Sequence, residues 1–423
     1  WQNPADPEPW KDAVYDATKY KPGCSQHGSN SSTSYPVIVY IHGGNFVHMS
    51  SNSLLFDGEN LAYIGDIIVV TMDYRLGALG FLVTADTAEG KGAKGNYGIL
   101  DQRAALKWVH SYIKYFGGDP KKQALIESSP FSLPYKTKQE AEVLGDVLAG
   151  KLNCRFSDLS CLGNKTADEV SYAQKDIRNL PTSIKLLEFF EPWGPVVDGD
   201  IVPYQPLLAI ENKKFVNMPI LIGTVTEETR IYVYSAWNKT LNTGEYAAAL
   251  LALYPSHALA SLARYPPTAA SDQRDTLVQS MTDFVFTCCT RNYTRNILKF
   301  PGSKVFRYEY NHAFSFDGWG PFTMCNHHVC HGSEIPFMFQ STSAGNYTIT
   351  HDELNLSNNL IHYWSNFVKN GDPNKGYSMN LTWPNYSEDS GWQYLQFQTP
   401  ANIVSSKYRP EFCDFWDSVG YNA

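Results

Sequence analysis

Short runs of apolar, mostly β-branched residues, each closed by turn-forming residues, are the feature that most constrains the fold of this chain. The clearest runs cover residues 36–41 (PVIVYI), 66–72 (DIIVVTM) and 218–225 (MPILIGTV). Runs this short and this continuously apolar are typical of strands buried on both faces of a parallel sheet. Helical patterns lie between these runs, for example over 98–116, and after them, for example over 354–370. The sequence therefore predicts an α/β fold with a large, mostly parallel central sheet flanked by helices.

No linker, internal repeat or low-complexity tract divides the chain, so residues 1–423 are expected to form a single domain. Hydrophobic residues make up 43% of the chain, which is enough for a large core. The formal net charge is −8 and no basic run occurs, which argues against a nucleic-acid partner. No stretch of about 18 apolar residues is present, so no membrane span is expected.

Sequons of the form Asn-x-Ser/Thr, none with proline in the middle, favour a secretory route and glycosylation of surface loops. Chance occurrence in a chain rich in asparagine, serine and threonine is the alternative. The sequon asparagines are Asn30, Asn164, Asn238, Asn292, Asn346, Asn355, Asn380 and Asn385.

The cysteines, 8 in number, fit the same oxidising compartment. Cys288 and Cys289 are adjacent and cannot both point the same way, so at most one of them can reach Cys413. Spacing assigns no partner to Cys24 or to the other member of the adjacent pair. The pairs that could close short loops are Cys154–Cys161 and Cys325–Cys330.

The run at 36–41 ends in His42-Gly43-Gly44-Asn45, a pattern that can build an anion-binding turn. Two glycines after a buried strand let backbone N–H groups converge on one point, as in the oxyanion hole of a hydrolase. An ordinary glycine turn is the alternative. On the first interpretation the donors are the backbone N–H groups of Gly43, Gly44 and Asn45.

Several further blocks occur in the order and at the spacing of one known family. The blocks cover residues 1–24, 73–81 (DYRLGALGF), 95–103 (GNYGILDQR), 116–120 (FGGDP), 195–199 (PVVDG), 371–374 (GDPN) and 383–384 (WP). Together they resemble the type-B carboxylesterases, a group that includes cholinesterases, lipases and members without catalysis. The resemblance implies an α/β-hydrolase fold and a Ser–Glu–His triad that hydrolyses small carboxylic esters through an acyl-enzyme, with no cofactor. It also implies a disulfide between Cys413 and Cys289, or alternatively Cys288.

The acid and the base of this triad map onto two positions of the chain. The acid maps onto Glu228, just after the apolar run at 218–225, and Glu227 is its rival. Thr229 stands where the family usually has a glycine. The base maps onto His331 in the pattern HGSEIPF. Histidine suits this role because its pKa lies near neutrality, so the ring can accept and return a proton.

A metal site is the alternative interpretation of the crowded segment around the base. Its potential ligands are Cys325, His327, His328, Cys330 and His331. The chain has no second ligand cluster with zinc spacing, and two cysteines this close favour a disulfide in an oxidising compartment. No metal is therefore expected.

The nucleophile is missing from the sequence. No Gly-x-Ser-x-Gly elbow occurs anywhere in the chain. Counting on from Asp119-Pro120 brings Ser129 near the expected position, but Pro130 would remove the backbone donor that an elbow needs. We interpret 123–130 instead as the strand that follows the elbow in the family. Ser343 has the wrong order along the chain and is excluded.

A strand, elbow and helix are thus absent between Pro120 and Gln123, and the family's Glu-Asp-Cys-Leu strand is absent between Cys24 and Pro36. Either this protein has lost both segments, or its natural chain carries residues there that the printed sequence lacks. The second interpretation is favoured, since two deletions in the core would be destabilising.

The leading hypothesis is a secreted serine carboxylic-ester hydrolase in which Glu228 orients His331. The alternative is a non-catalytic family member with an adhesion, structural or storage role. A lipase with a lid would differ only in its substrate, and no residue pattern separates that possibility. Weak candidates for an apolar acyl pocket are Phe189, Phe190 and Trp193.

Overall fold

The computed structural model describes residues 34–85, 92–120, 123–177 and 191–421. Among the predicted residues, Cys24, Asn30, Phe189 and Phe190 lie outside these ranges. The strands are β1 (Tyr35–Ile41), β2 (Ile68–Met72), β3 (Gly118–Asp119), β4 (Ala124–Glu127), β5 (Lys136–Thr137), β6 (Val196–Val197), β7 (Ile220–Val225), β8 (Val305–Tyr310), β9 (Gln393–Phe397) and β10 (Ile403–Ser406). The helices are α1 (Glu59–Gly65), α2 (Gly77–Phe81), α3 (Tyr97–Tyr112), α4 (Lys138–Lys151), α5 (Leu159–Gly163), α6 (Ala167–Ile177), α7 (Pro206–Glu211), α8 (Arg230–Ala236), α9 (Thr243–Leu253), α10 (Ala258–Arg264), α11 (Arg274–Thr282), α12 (Cys288–Ile297), α13 (Ile335–Met338), α14 (His351–Asn370) and α15 (Pro410–Val419).

The predicted α/β architecture forms, with a mostly parallel sheet flanked by helices. One block of five strands has the order β10-β9-β8-β7-β4, and only the β9–β10 pair is antiparallel. A second block of three parallel strands has the order β2-β1-β3. Within the described residues the two blocks are not hydrogen-bonded to each other, so the large sheet is interrupted between them.

The interruption lies between β1 and β4. On the side of β1 away from β2, only Tyr35 and Pro36 are paired, with the two residues of β3. On its part, β4 has β7 as its one neighbour in the described chain. Both strands are only half-buried, whereas every residue of β7 and β8 is buried. Parallel strands are normally covered on both faces and paired on both edges, so β1 and β4 have the burial of strands that lack a neighbour.

Local sequence signals set the ends of the helices that surround the sheet. The longest helix, α14, begins at a capping box formed by Thr350 and Glu353, and it ends at Gly371, whose φ of 65° stops the helical backbone. Its buried face, which includes Trp364 and Phe367, packs into the main core behind β7 and β8. No helix in the described ranges combines the length and the apolar composition needed to cross a membrane.

Two predicted disulfides are confirmed and a third is corrected. The short loops are closed by Cys154–Cys161 and Cys325–Cys330. The prediction that Cys289 pairs with Cys413 is wrong, because Cys288 makes that bond and Cys289 is a buried free thiol. Successive residues of a helix point about 100° apart, so only one of the two can face Cys413 on α15. The thiol of Cys289 instead donates to the carbonyl of Val285 at 2.8 Å.

Candidate active site

Glu228 and His331 form a hydrogen-bonded pair at the C-terminal end of β7. Glu228 is fully buried, and its Oε2 lies 2.6 Å from Nδ1 of His331. The other oxygen accepts the backbone N–H of Val225 at 2.8 Å, which anchors the carboxylate to the strand. A carboxylate bound in this way holds Nδ1 protonated, so Nε2 is the nitrogen that can accept a proton. No described residue makes a hydrogen bond to Nε2.

Two aromatic rings hold the imidazole of His331 in place. Its ring centroid lies 5.4 Å from that of Phe286 and 5.8 Å from that of Tyr232. The His331 side chain keeps 31% of its surface exposed. Tyr232 lies in the first turn of α8, shortly after Glu228 in the chain, and both side chains contact His331. The ring is therefore held on two sides, and His331 is among the residues that line a cavity.

This cavity has a volume of about 490 Å³ and lies across the interruption in the sheet. One wall is the loop after β1, a second is the end of β4 and the residues after it, and His331 lies on a third. Most of the other side chains in its walls are aromatic or aliphatic. They include Phe46, Tyr74, Leu133, Tyr135, Tyr232 and Phe286.

The predicted oxyanion loop lines the same cavity. Gly44 has a φ of 113°, and Asn45 has a φ of 51° in the left-handed region, which asparagine tolerates better than most residues. Hydrogen bonds from Tyr74 Oη to the carbonyl of His42 and from the N–H of Gly77 to the carbonyl of Phe46 fix the two ends of the loop. In the described part of the chain, no acceptor is bonded to the N–H of Gly43 or Gly44. These two donors are thus available to a ligand.

The rival acid, Glu227, belongs to a different pair. Its two oxygens both lie 3.0 Å from Nδ1 of His328, and one of them also accepts the backbone N–H of Val329. Arg230 donates to the same carboxylate at 3.2 Å and to the carbonyl of Met324 at 2.7 Å. This pair borders a separate, smaller pocket, so the structure brings Glu228 and not Glu227 to His331.

No described serine completes the pair as a triad. Ser128 follows β4 with a φ of 49°, is 5% exposed, and its hydroxyl donates to Glu334 at 3.4 Å. Ser129 lines the cavity but is followed by Pro130. Neither hydroxyl is hydrogen-bonded to His331. Ser343 is exposed in a turn after α13 and does not line the cavity.

Burial raises the pKa values of two further carboxyl groups near the pair, one of which, Glu127, also lines the cavity. Burial raises the pKa of Glu127 to about 7, although the indole N–H of Trp364 donates to it at 2.8 Å and opposes the shift. Burial also raises the pKa of Glu334, and the nearby charges of Glu127 and Glu228 add to that effect. These shifts have the direction expected for carboxylates that lack a cationic partner.

The crowded histidine and cysteine segment is not a metal cluster. Cys325 and Cys330 are joined to each other, His328 pairs with Glu227, and His327 is an exposed residue whose Nε2 lies 3.8 Å from Asp317. Across the described ranges, no group of three or more histidine, cysteine, aspartate and glutamate side chains has the arrangement to hold a metal ion.

Six of the predicted sequon asparagines are exposed, and these are Asn164, Asn238, Asn346, Asn355, Asn380 and Asn385. Asn292 differs because it is half-buried in α12, where its side-chain amide lies 3.3 Å from Asp417. The threonine of the same sequon, Thr294, is fully buried. A glycan on Asn292 would have to displace this packing.

The acyl-pocket candidate Trp193 does not line the cavity. It is 1% exposed and packs in the core formed by α2, α4 and α6. Glu191, two residues earlier, lines the cavity in its place. Sequence reasoning missed Glu191, Tyr135 and Phe286. Phe286 lies in a π-helical turn at Asp283–Thr287, a feature that hydrophobic periodicity does not reveal.

Comparison with known proteins places these features in one family. The model of the "Carboxylesterase family" matches residues 27–129 and 121–416, and both matches include residues 121–129. The cAMP-regulated D2 protein of Dictyostelium discoideum is 31% identical over 90% of this chain and 80% of its own length. The crystal protein of the same organism is 28% identical over 100% and 85%, and an acetylcholinesterase of Bungarus fasciatus is 27% identical over 98% and 79%.

The alignment lengths differ from the length of this chain. The match to the crystal protein runs over 483 aligned positions, whereas the whole chain has 423 residues, so about 60 positions of that alignment hold no residue of this chain.

Proposed function

The chain belongs to the carboxylesterase family, and we propose that it is a secreted carboxylic-ester hydrolase that acts through an acyl-enzyme. The observation that carries this proposal is the Glu228–His331 pair, whose Nε2 opens into a cavity beside the N–H groups of Gly43 and Gly44. A general base next to two backbone donors is the arrangement that acyl transfer requires.

In the proposed reaction, Nε2 of His331 takes the proton of a serine hydroxyl while the serine oxygen bonds to the ester carbonyl carbon. The carbonyl oxygen becomes an oxyanion and accepts hydrogen bonds from Gly43, Gly44 and Asn45. The imidazolium, stabilised by Glu228, returns the proton to the leaving alcohol. Water then repeats the sequence on the acyl-enzyme, and the carboxylic acid and the free serine are released.

We propose that the serine lies in a strand, elbow and helix inserted between Pro120 and Gln123 in the natural chain. Three observations support this proposal. The edges of β1 and β4 that flank the cavity are largely unpaired in the described chain. Polar atoms nearby are buried without a hydrogen-bond partner, among them Oγ1 of Thr224, Oε2 of Glu334 and Oη of Tyr308. A missing segment would also explain two features of the comparisons. Residues 121–129 fall in both matches to the family model, and the alignment with the crystal protein has positions that hold no residue of this chain.

Hydrolysis of 4-nitrophenyl acetate by the natural protein tests this function. The His331→Ala variant should lose hydrolysis, and the matched control His328→Ala should retain most of it, since His328 borders the other pocket. Equal rates in both variants and the unaltered protein would show that His331 is not the base.

A second candidate function is a non-catalytic role in adhesion, structure or storage. The absence of any Gly-x-Ser-x-Gly in the sequence favours it. Retention of the acid, the base and the oxyanion loop in one cavity speaks against it, because these groups have no shared use outside catalysis. A natural protein that hydrolyses no ester would support this second function.

Secretion and glycosylation are also proposals. The disulfides Cys154–Cys161, Cys288–Cys413 and Cys325–Cys330 favour an oxidising compartment. The exposed sequons favour N-glycans. Enzymatic deglycosylation of the protein from its natural source should lower its mass. Glycopeptide mapping should find Asn292 without a glycan.

A further inference from the structure

One ionisable side chain stands out in the wall of the candidate active-site cavity. Glu191 lines it among the rings of Phe46, Tyr74, Tyr135 and Tyr232. The proposed reaction uses Glu228 and His331 and gives Glu191 no role. A carboxylate in an aromatic wall is costly to keep charged unless something pairs with it.

The Glu191 carboxylate lies near Gly194 and the ring of Phe46. A methyl group placed on Gly194 would lie 3.4 Å from the ring of Phe46 and 3.8 Å from Oε2 of Glu191. The carboxylate is therefore next to the ring that follows the oxyanion loop. Besides burial, the charge of Glu191 raises the pKa values of Tyr74, Tyr135 and Tyr232, so its field reaches three tyrosines of the cavity wall.

Among the described residues, the cation whose charge acts on this carboxylate is Lys136, and it is bonded to the backbone of Glu191. Nζ of Lys136 donates to the backbone carbonyl of Glu191 at 2.7 Å. No described residue makes a hydrogen bond or an ion pair with the Glu191 carboxylate itself. Burial raises the pKa of Glu191 to about 7, and the charge of Lys136 opposes the shift without cancelling it. The group is thus an acceptor that has two oxygens to offer to a ligand.

We propose that Glu191 forms an anionic subsite that selects ester substrates carrying a protonated primary amine or a guanidinium group. An N–H cation can make charge-assisted hydrogen bonds to both carboxylate oxygens. The aromatic rings around Glu191 add cation–π attraction. A quaternary ammonium has the charge but no N–H donor, so it gains less. This inference rests on the proposed function, because it concerns the substrate of the same cavity.

The proposal predicts that cation binding strengthens as the pH rises from about 6 to 8. Glu191 is largely neutral at the lower pH and ionised at the higher one, given its pKa of about 7. The other titratable groups that face it are Lys136, Tyr74, Tyr135 and Tyr232. His331 and Glu127 also line the cavity, so their contributions are removed by comparing the unaltered protein with Glu191→Gln at each pH.

Calorimetric binding of three probes of similar shape tests the proposal, and the probes are benzylammonium, benzyltrimethylammonium and benzyl alcohol. At pH 8 the unaltered protein should bind benzylammonium about tenfold more tightly than Glu191→Gln does, a difference typical of one charge-assisted contact. Glu191→Asp should keep most of the preference. Glu388→Gln, which removes one exposed negative charge far from the cavity, should bind all three probes as the unaltered protein does.

Equal affinity of Glu191→Gln and the unaltered protein for benzylammonium would overturn the proposal, and so would equal affinity of the unaltered protein for the amine and the alcohol. Thermal unfolding of each variant confirms that it is folded. Binding is measured without turnover, so failure here is separate from failure of the proposed function. A protein that binds benzylammonium through Glu191 but hydrolyses no ester would keep the subsite and lose the esterase proposal. A protein that hydrolyses neutral esters but does not prefer benzylammonium would keep the esterase proposal and lose the subsite.

Discussion

Two Glu–His pairs lie side by side in this molecule, and only one of them opens into a cavity that can hold an ester. Glu227 and Glu228 are consecutive, and they reach His328, inside the loop closed by Cys325–Cys330, and His331, the residue directly after that loop. The first pair borders a pocket of about 270 Å³ lined by charged residues. The second borders the 490 Å³ cavity with the oxyanion loop.

The two carboxylates differ in the number of hydrogen bonds that they accept and in their exposure. Glu227 accepts from His328, Val329 and Arg230, and its side chain is 28% exposed. Glu228 accepts from His331 and one backbone N–H, and it is fully buried. A Glu–His contact is therefore not sufficient to identify a catalytic pair. What distinguishes the second pair is that its histidine lines the same cavity as Gly43 and Gly44.

The largest expected difference between the pairs is in catalysis. In the natural protein, Glu228→Gln should lower kcat by about a thousandfold, because the neutral amide no longer stabilises the imidazolium or fixes its tautomer. Glu227→Gln should lower kcat by less than about tenfold. Steady-state kinetics with 4-nitrophenyl acetate measures both, and a larger loss in Glu227→Gln would exchange the roles of the two pairs.

Removing the disulfide Cys325–Cys330 should lower the stability of the fold more than it lowers the activity. Replacing Cys325 and Cys330 together by serine removes a cross-link over a sequence separation of 5 residues. Loop-closure entropy for so short a loop is worth about 2 kcal/mol of unfolding free energy. Urea denaturation of the double variant should show this loss. An unchanged midpoint would mean that the hydrogen bonds of Glu227 alone hold the segment.

Glu227 is expected to matter more for stability than Glu228 does. Glu227→Gln breaks charge-assisted bonds to His328 and to Arg230, whose side chain is 9% exposed, so unfolding free energy should fall by about 1–3 kcal/mol. Glu228→Gln should have a smaller effect, because only two hydrogen bonds are involved. Thermal melts of the two variants at one pH decide this, and the opposite order would contradict the structural role given to Glu227.

Glu127 shows what a buried glutamate does without a histidine. Its pKa of about 7 in the folded protein exceeds the ordinary value of 4.5, so the folded state holds a proton that the unfolded chain releases. The unaltered protein therefore loses stability as the pH rises from about 4.5 to 7. Glu127→Gln keeps an acceptor for Trp364 and should be more stable by about 1 kcal/mol at pH 8 but not at pH 4. Equal melting curves at both pH values would contradict this pKa.

Much of the fold could be predicted because the spacing of apolar residues and the positions of turn-forming residues indicate the same elements. The run at 36–41 became β1, and Pro255 separates α9 from α10 as a helix-breaking residue should. Glu228 and His331 were assigned to one triad by the resemblance to the type-B carboxylesterases, and their side chains are hydrogen-bonded to each other. The interruption of the sheet also agrees with the sequence, which lacks the strand expected between Pro120 and Gln123.

The rest depended on contacts between residues far apart in the chain. The choice of Cys288 over Cys289 rests on which side of α12 faces α15, and adjacent cysteines carry no signal of that. Glu191 lines the cavity whereas Trp193, two residues later, packs into the core, and no sequence pattern shows which of the two does which. The first pair, formed by Glu227 and His328, was likewise not predicted, since each residue alone resembles an ordinary surface charge.

The most direct test of the central claim is to react the natural protein with a fluorophosphonate probe and to map the deglycosylated peptides from Gly117 to Lys136 by tandem mass spectrometry. The account predicts a labelled serine within a Gly-x-Ser-x-Gly peptide that lies between Pro120 and Gln123, with labelling abolished in His331→Ala. A continuous, unlabelled peptide in which only Lys121 and Lys122 separate Pro120 from Gln123 would contradict it, and the non-catalytic function would then stand.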